Sequence, residues 1–569
     1  MFNFTIFATI FSCKLLFMTS IIRTCRISGT SFLITDEDQA FYLKMGVPLP
    51  TLCPEERQRR RLSFRNERHL YHRKCDLCDK QIISIYHANS HYTVYCNACW
   101  WSDKWDASSY GLDFDFNRPF FDQFRDLQLK VPRLAMLSIK VENSDYTNCV
   151  SNLKDCYLIF SADFNQECFY GVWIENSKNC VDNLLIDGCE LAYECFYSQK
   201  LYRCIFVFNS SQCTDSAFLY DCKNSQDCFM SSGLRNKQYY IRNKAYSKEE
   251  YFKIMRSLNL GSHEVLSRMK EEFSTLLKES KRLFMNRIGQ IENSSGDFLM
   301  DTQNVHDSFE LMRSKDCRYI QGGFNLKDVY DGSYVAMGEL AYENCESVPV
   351  PYRSAFNVNS YTGQNLFYTD TCMTQSKDLF GCIGLRQKQY CILNKAYSAE
   401  AYRDLVLRIV EFMRKTGEWG EFFPIALSPF AYNETSAYDY YPVDQKEAFS
   451  RGYSWKEEDE NSSYQGPVAQ IPDRIEDVSD EITKQILRCE VSGKLYKIIP
   501  QELAFYRQMG LAIPRRSPDQ RHKDRMALRN PRHLWERTCA LCADPIQTSY
   551  APDRPEKVYC EACYLKEIY

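Results

Sequence analysis

The sequence has no strong net charge. Its 569 residues include 70 lysines and arginines and 74 aspartates and glutamates, so the formal net charge is −4. Without a global positive field, nucleic acid would have to be held by a local basic patch. The apolar content of 44% and the charged content of 25% are those of a soluble globular protein, and the length indicates several domains.

Common catalytic motifs are also missing. The sequence contains no P-loop, no G-x-S-x-G nucleophile elbow, no HExxH helix and no glycine-rich dinucleotide turn. Carboxylates occur in GVWIENSKNCVDN and DFDFNRPFFDQF, but their spacing alone does not pair them. An enzyme is therefore the less favoured interpretation, and no catalytic residue is predicted.

A convincing membrane or export signal is lacking as well. Residues 1–24 are apolar, but Lys14 interrupts them, and they have neither a basic start nor an obvious cleavage site. They are marginal as a transmembrane helix, which needs ~20 apolar residues. We interpret residues 1–24 as a mis-called start, with Met18 as a second possible start, or as a non-structural leader. A membrane anchor or an export signal is the alternative.

Cysteine, by contrast, is abundant, with 27 residues. Eight of them lie in two ribbon-like stretches, and 15 lie singly between residues 149 and 391. Secreted disulfide frameworks occur mostly in small domains that lack a sufficient core. Four-thiolate metal sites together with many lone thiols suit a reducing compartment, so the sequence predicts a cytoplasmic protein.

The two ends of the chain carry the same module. Residues 25–105 align with residues 489–569 without a gap, so that AFYLKMG matches AFYRQMG and RNERHLYHR matches RNPRHLWER. In the first copy Thr35 and Asp38 resemble a capping box, which predicts a helix that begins there. Gly46 is expected to end that helix in the left-handed conformation.

Both modules contain the pattern CxxC-x17-CxxC. Four thiolates at this spacing can meet around one tetrahedral Zn²⁺, and a closed four-thiolate shell leaves no position for water. A redox interpretation needs only one pair on a thioredoxin-like βαβ unit, which the pattern does not indicate. The sequence therefore predicts two structural zinc sites. The predicted ligands are Cys75, Cys78, Cys96 and Cys99 in the first module and Cys539, Cys542, Cys560 and Cys563 in the second.

Arginine-rich segments precede both ribbons. Arginines beside a metal-stabilised hairpin with Tyr and Trp suit phosphate contacts and base stacking, which favours RNA or DNA as the partner. The same arginines could instead bind a protein, pair with acidic neighbours or solvate a helix face, and no small-molecule substrate is indicated. The candidate partner-binding residues are Arg57, Arg61, Arg65, Arg68, Arg73, Arg521, Arg525, Arg529, Arg532 and Arg537.

The middle of the chain is also duplicated. GLRNKQYYIRNKAYSKEEY (233–251) resembles GLRQKQYCILNKAYSAEAY (384–402), and short runs rich in Cys, Tyr, Phe and Val precede each copy. In the first of these runs, successive cysteines are separated by intervals of six or nine, at Cys189, Cys195, Cys204, Cys213, Cys222 and Cys228. This quasi-periodicity predicts a parallel β-helix or a related solenoid, in which stacked turns bury small residues such as Cys.

These patterns predict a multidomain α+β protein in which two zinc-ribbon modules flank a duplicated β-solenoid with helical insertions. An amphipathic helix is expected over about 263–289, and Ser247 with Glu250 resembles a capping box for a helix from about 248. The predicted segments are a leader (1–24), the first module (25–105), the first solenoid half (140–246), a helical segment (247–290), the second solenoid half (295–397), a helix with a Tyr- and Pro-rich connector (398–485) and the second module (489–569).

Several segments resemble one known group of proteins. TLCPEERQRRRLSFRNERHLYHRKCD, CWWSDKWDASSYGLDFDFNRPFFDQFRDLQLKVPR, NKAYSKEEY and GEFFPIALSPFAYNET are similar to segments of a large, poorly characterised family of Cys-rich zinc-ribbon proteins from metagenomic bacteria of the candidate phyla radiation. The resemblance implies zinc-binding modules and a repetitive, Cys-containing middle. It implies no established activity.

The sequence departs from that family's pattern at one place. The family pattern has Cys-x-x-Cys-Gly near the start and Cys-Pro-x-Cys-Arg later, whereas this chain has CRISG at 25–29 and CPEER at 53–57. Cys25 and Cys53 are therefore interpreted as free thiols or as the remainder of a lost site. Relatives sometimes carry a label for CaiB/BaiF-type coenzyme A transferases, which use an Asp nucleophile in an interlocked α/β fold, and nothing in this chain indicates that fold.

The favoured function is a zinc-dependent binding or scaffold protein whose basic segments contact nucleic acid beside the ribbons. The alternative is a protein-interaction scaffold that uses the aromatic surface of the solenoid. Because β-helices also host carbohydrate-active enzymes, such an enzyme is the remaining and least favoured alternative.

Overall fold

The computed structural model describes residues 19–457 and 466–568 and groups them into two compact units. Unit 1 contains the described residues up to Ala135 together with Met285–Lys456 and Arg532–Leu534. Unit 2 contains Met136–Phe284 and the rest of the described chain. The first module is thus grouped with the second half of the middle region, and most of the second module is grouped with the first half.

The predicted N-terminal leader is only partly covered. Its residues up to position 18 lie outside the described part of the chain, whereas Ile21–Thr24 form a strand that pairs antiparallel with Ser31–Ile34. Within the described residues, no helix is both long enough and apolar enough to cross a membrane.

Short strands and helices build the first module and the segment that follows it. Thr35 accepts a hydrogen bond from the Asp38 N–H, the Asp38 carboxylate accepts one from the Thr35 N–H, and Gly46 ends the helix at φ 73°. The predicted capping box and left-handed stop are confirmed. In chain order the elements are β1 (Ile21–Thr24), β2 (Ser31–Ile34), α1 (Asp36–Met45), α2 (Pro54–Leu62), β3 (Tyr71–Lys74), β4 (Gln81–Ser84), β5 (Val94–Tyr95), α3 (Asn97–Trp100), α4 (Phe120–Lys130) and β6 (Arg133–Leu134).

A 12-stranded sheet, called here the first parallel sheet, follows in unit 2. Val172 lies opposite Leu184, and Leu184 lies opposite Phe196, so that neighbouring strands are offset by 12 residues. All its pairs are parallel except the last, β17 with β18. Its strands are β7 (Ser138–Glu142), β8 (Asn148–Lys154), β9 (Phe160–Gln166), β10 (Val172–Glu175), β11 (Leu184–Asp187), β12 (Glu190–Tyr193), β13 (Phe196–Gln199), β14 (Tyr202–Phe208), β15 (Ala217–Tyr220), β16 (Gln226–Ser232), β17 (Gln238–Ile241) and β18 (Lys244–Ala245).

Two helices and a short strand come next. The capping box of Ser247 and Glu250 is confirmed. The helix predicted over 263–289 is shorter than expected, because Arg282–Leu283 pairs in parallel with Val558–Tyr559 of the second ribbon. These elements are α5 (Lys248–Ser257), α6 (His263–Glu279) and β19 (Arg282–Leu283).

Unit 1 contains a second parallel sheet, of nine strands. Leu299 lies opposite Leu311 and Leu311 opposite Gly323, which is the same offset as in the first sheet. Its strands are β20 (Arg287–Glu292), β21 (Gly296–His306), β22 (Ser308–Arg318), β23 (Gln321–Ser347), β24 (Ser354–Val358), β25 (Gln364–Phe367), β26 (Lys377–Phe380), β27 (Gln389–Ile392) and β28 (Lys395–Ala396).

The rest of the described chain is mostly helical, and the second module repeats the order of elements in the first. These elements are α7 (Ala399–Thr416), α8 (Ser436–Tyr440), α9 (Gln445–Ser450), β29 (Leu487–Arg488), β30 (Leu495–Tyr496), α10 (Pro500–Met509), α11 (Pro518–Met526), β31 (Trp535–Thr538), β32 (Pro545–Thr548), β33 (Val558–Tyr559) and α12 (Glu561–Ile568).

The interior of both parallel sheets follows a period of three residues. Cys204, Val207 and Ser210 are buried in succession. The residue before each of the first two lies in the left-handed region, with Arg203 at φ 51° and Phe206 at φ 52°. Four such triplets make up the offset between neighbouring strands. Every gap in the cysteine series noted in the sequence is a multiple of three, so the lone cysteines follow the same period.

The lone cysteines act as small interior donors. The Cys204 thiol donates to Tyr202 O at 3.5 Å, and the Ser198 hydroxyl donates to Phe196 O at 3.0 Å. In both cases the acceptor is the carbonyl group two residues earlier, which is left without a donor when the chain turns inward. Burial raises the pKa of the Cys204 thiol well above its usual range, so the donor stays protonated.

Substitutions at Cys204 test this interior role. We expect Cys204→Ser to change the free energy of unfolding of unit 2 by about 1 kcal/mol or less, because serine keeps a donor of similar size. Cys204→Leu should destabilise the unit by about 1–3 kcal/mol, because it removes the donor and overfills the interior. Urea denaturation followed by circular dichroism compares the two variants. Equal effects would refute the assignment of Cys204 as a small interior donor.

Candidate metal centres and contacts of the modules

Four cysteine sulfurs converge in each ribbon. In the first ribbon, two come from the turn between β3 and β4 and two from the start of α3, and the second ribbon repeats this arrangement. The four Sγ atoms of each group all lie within 4.8 Å of one another. The groups are Cys75, Cys78, Cys96 and Cys99, and Cys539, Cys542, Cys560 and Cys563.

Backbone N–H groups favour the thiolate form at the first cysteine of each group. The Cys96 N–H donates to Cys75 Sγ and the Cys560 N–H to Cys539 Sγ, both at 3.3 Å. Burial opposes ionisation of these two thiols, but the N–H contacts outweigh it. The pKa of Cys75 is lowered to about 7 and that of Cys539 to about 6. The thiolate is the form that binds metal.

Each group could hold one metal ion in a closed shell. A set of four thiolates suits soft or borderline metals in tetrahedral geometry. Four protein ligands fill a tetrahedron, so no position is left for a water molecule or a substrate. The eight cysteines named from the sequence are therefore the ones that the structure brings together, in an arrangement suited to holding structure rather than to catalysis.

The arginines of α2 face the second parallel sheet. Arg57 Nη2 lies 2.9 Å from Asp331 Oδ2, and Arg61 Nη1 lies 3.1 Å from Asp331 Oδ1. Arg61 Nη1 also lies 3.4 Å from Glu343 Oε2. The side chains of Arg61, Asp331 and Glu343 are completely buried. Helix α2 is thus attached to the sheet through buried ion pairs.

The second module makes the same contacts with the first parallel sheet. Arg521 Nη1 lies 3.0 Å from Asp182 Oδ2, and Arg525 Nη1 lies 2.9 Å from Asp182 Oδ1. Arg525 Nη1 also lies 3.4 Å from Glu194 Oε2. These two arginines occupy the positions in α11 that Arg57 and Arg61 occupy in α2. In each unit, one aspartate therefore accepts from two arginines and the following glutamate accepts from the second.

The spacing on the helix matches the spacing on the sheet. The paired arginines are four residues apart, which places them on one helix face with ~6 Å between neighbouring side chains. The interval from Asp182 to Glu194 equals that from Asp331 to Glu343, and both equal the offset between neighbouring strands. This offset sets each acidic pair side by side on adjacent strands, which are ~4.8 Å apart. One turn of helix can therefore span two strands.

Aromatic rings surround both sets of ion pairs. Tyr42 and Tyr342 make an edge contact with centroids 5.3 Å apart, and Tyr506 and Tyr193 make one at 5.7 Å. The Arg57 guanidinium lies over a further ring at 5.0 Å. Buried aromatic contacts add stabilisation beyond the area they remove from water and lower the local dielectric around the charges.

Two further candidate arginines are paired with acids of unit 1. Arg65 Nη1 lies 3.0 Å from Glu346 Oε1, and Arg65 Nη2 lies 3.1 Å from Glu67 Oε1. Arg532 Nη2 lies 2.9 Å from Glu310 Oε2. All of these side chains are largely buried.

The remaining candidate arginines lie at or near the ribbons. Arg73 Nη1 donates to His87 O, and Arg537 Nη1 donates to Ala551 O, both at 3.2 Å. Each therefore braces the hairpin between the two cysteine pairs of its own ribbon. The last two candidates, Arg68 and Arg529, are half-buried.

The sequence left open whether the arginines contact a partner or pair with acids, and the structure favours pairing for most of them. Arg57, Arg61, Arg521 and Arg525 are buried and turned to carboxylates of their own unit, so they do not form an exposed basic patch. Sequence reasoning missed the acids that receive them. The available signal was an aspartate followed by a glutamate at the interval of the strand offset, which occurs from Asp182 and again from Asp331.

Comparisons with known proteins add little to this description. No protein-family model matches the chain, and no curated protein matches it. Among solved structures, 46% of the chain is similar to 68% of a crystal structure described as a "putative acetyltransferase from Desulfovibrio desulfuricans G20", with 11% sequence identity and a TM-score of 0.11. A score that low carries no argument about fold or function.

Proposed function

We propose that this protein is a zinc-dependent scaffold that binds a protein partner. The observation that carries the proposal is the use of the basic segments. Both modules direct a pair of arginines into buried acids of a parallel sheet. Arginines used in this way hold the molecule together and are not exposed to the phosphates of a nucleic acid.

Zinc is the metal that the two cysteine groups favour. A Zn–S distance of about 2.3 Å gives a regular tetrahedron with sulfur–sulfur edges of about 3.8 Å. Cys78 Sγ and Cys96 Sγ lie 4.0 Å apart, and Cys542 Sγ and Cys560 Sγ lie 3.7 Å apart. A metal at each site would fix a small ribbon that has little core of its own.

The parallel sheets would supply the rigid part of the scaffold. The constant offset between strands and the three-residue period of buried side chains support a β-solenoid with four short sides in each coil. Solenoids stack repeats in one direction and offer long surfaces on which partners can bind. The aromatic and charged side chains on the outer faces then become the candidates for partner contact.

Titration with nucleic acid tests the choice of partner class. Mixed-sequence RNA and DNA, labelled with a fluorophore, would be added to the full-length chain at low and at physiological salt, with binding followed by anisotropy. We expect no saturable binding at physiological salt. Tight binding whose affinity falls steeply with salt would restore nucleic acid as the partner and overturn the proposal.

A further inference from the structure

The two parallel sheets end in the same short sequence. GLRQKQYCILNK (384–395) ends the sheet of unit 1, and GLRNKQYYIRNK (233–244) ends the sheet of unit 2. We call residues 384–395 the covered end and residues 233–244 the open end. Because each position of one has a counterpart in the other, the contacts of the covered end indicate what the open end can bind.

The covered end is held by an acidic segment of unit 1. Lys388 Nζ lies 2.7 Å from Asp106 Oδ2, and Lys395 Nζ lies 2.5 Å from Asp113 Oδ1. The two lysines are seven residues apart, and so are the two aspartates. Residues 106–113 are therefore anchored at both ends by charge.

Main-chain atoms fix the same segment between these ion pairs. The Leu112 N–H donates to Leu393 O at 2.9 Å. Asn394 Nδ2 donates to Ala107 O at 3.0 Å and to Ile383 O at 2.8 Å, and its side chain is completely buried. Backbone hydrogen bonds combined with side-chain anchors are the usual means by which a protein surface recognises a peptide.

The open end presents the same groups to a cleft. Lys237 and Asn243, the counterparts of Lys388 and Asn394, are exposed and line a cavity of about 360 Å³ in unit 2. In the described part of the chain, no carboxylate forms an ion pair with Lys237. Asn243 Nδ2 donates to Ser232 O at 2.8 Å and, among the described residues, to no second acceptor. The lysine and one amide N–H are thus available to a ligand.

Most other charges of the cleft neutralise one another. Arg235 Nη2 lies 2.7 Å from Asp221 Oδ2, and Lys281 Nζ lies 2.5 Å from Glu567 Oε2. Glu279 also lines the cleft and has no ion pair within the described residues. The attraction for an acidic ligand therefore comes from Lys237 and from Lys244, which is the exposed counterpart of Lys395.

We propose that the open end binds an acidic peptide segment of a partner protein. Two aspartates seven residues apart would reach Lys237 and Lys244, and a backbone carbonyl group between them would accept from Asn243. The Arg242 carbonyl group, the counterpart of that of Leu393, would accept from a backbone N–H of the peptide. This proposal names a partner class for the scaffold and rests on that proposed function.

A peptide from the chain itself supplies the probe. Fluorescein-labelled WDASSYGLD, the sequence of residues 105–113, would be titrated with the full-length chain and followed by anisotropy. We expect saturable binding that Lys237→Glu weakens at least about tenfold, because the variant replaces an attraction with a repulsion. Glu279→Gln should strengthen binding, and a peptide with both aspartates changed to asparagine should bind at least about tenfold more weakly.

Lys388→Glu is the matched control, since Lys388 holds the corresponding position in the covered end. Its affinity for the added peptide should equal that of the unmodified chain. Absence of saturable binding, or equal binding by the Lys237→Glu variant, overturns the proposal. Self-association that Lys237→Glu abolishes would identify a second copy of the chain as the occupant and would also overturn it. Zinc content and nucleic-acid binding, measured on the same samples, show separately whether the scaffold function fails.

Discussion

The double substitution Cys75→Ser and Cys78→Ser is expected to remove one zinc ion per chain and to unfold the first ribbon. Both sulfurs come from one turn, so their loss leaves two thiolates, which do not complete a tetrahedral shell. Structural zinc contributes about 10–16 kcal/mol of apparent binding free energy, and in small ribbons this is folding free energy. Hydrogen exchange with mass spectrometry would locate the loss of protection in β3, β4 and β5.

The second ribbon provides the matched comparison. Cys539→Ser with Cys542→Ser should remove the other zinc ion and expose β31, β32 and β33, while the first ribbon stays protected. If either double variant keeps its full zinc content and its protection, the cysteines do not hold the ribbons together and the assignment of both sites is wrong.

Asp331→Asn is expected to destabilise unit 1 by about 3–5 kcal/mol, because it leaves two buried guanidinium groups without their shared carboxylate. Asp331 accepts from both Arg57 and Arg61, and its side chain is completely buried. The urea midpoint of unit 1, followed by the loss of protection in α2, measures the change. Adding Arg61→Met should recover part of the loss, because it removes one of the two uncompensated charges.

Asp182→Asn is the counterpart in unit 2 and should act there with similar size, because Asp182 accepts from Arg521 and Arg525 in the same way. Gln substitution of Glu190, an exposed residue of the same sheet, should have little effect. A change below about 1 kcal/mol for both aspartate variants, which is the size typical of exposed ion pairs, would show that these ion pairs do not hold the modules in place.

Local features of the structure could be predicted well from the sequence. The cysteine ligand groups and the capping boxes at Thr35 and Ser247 each depend on residues that are close in sequence and on short-range geometry. The helix expected over 263–289 was too long, because a pairing between Arg282–Leu283 and Val558–Tyr559 ends it. That pairing joins the middle of the chain to its C-terminal part, and amphipathic periodicity carries no information about it.

The role of the arginines could not be predicted for the same reason. Arg57 is separated from Asp331 by 274 residues, and a basic helix looks the same in sequence whether it faces phosphate or buried carboxylates. The period of the parallel sheets was partly visible, since the cysteine gaps already suggested stacked turns. Its true unit of three residues was hidden, because Ser, Asn, Val, Leu and Cys share the interior positions.

The zinc content of the purified full-length chain tests the central claim most directly. Elemental analysis after exhaustive removal of loosely bound metal should find two zinc ions per chain, one for each group of four cysteines. Chelation under denaturing conditions should release both ions and leave thiols that react with an alkylating reagent. A content near zero in folded protein would contradict the account, because the ribbons would then be stable without the metal that is proposed to build them.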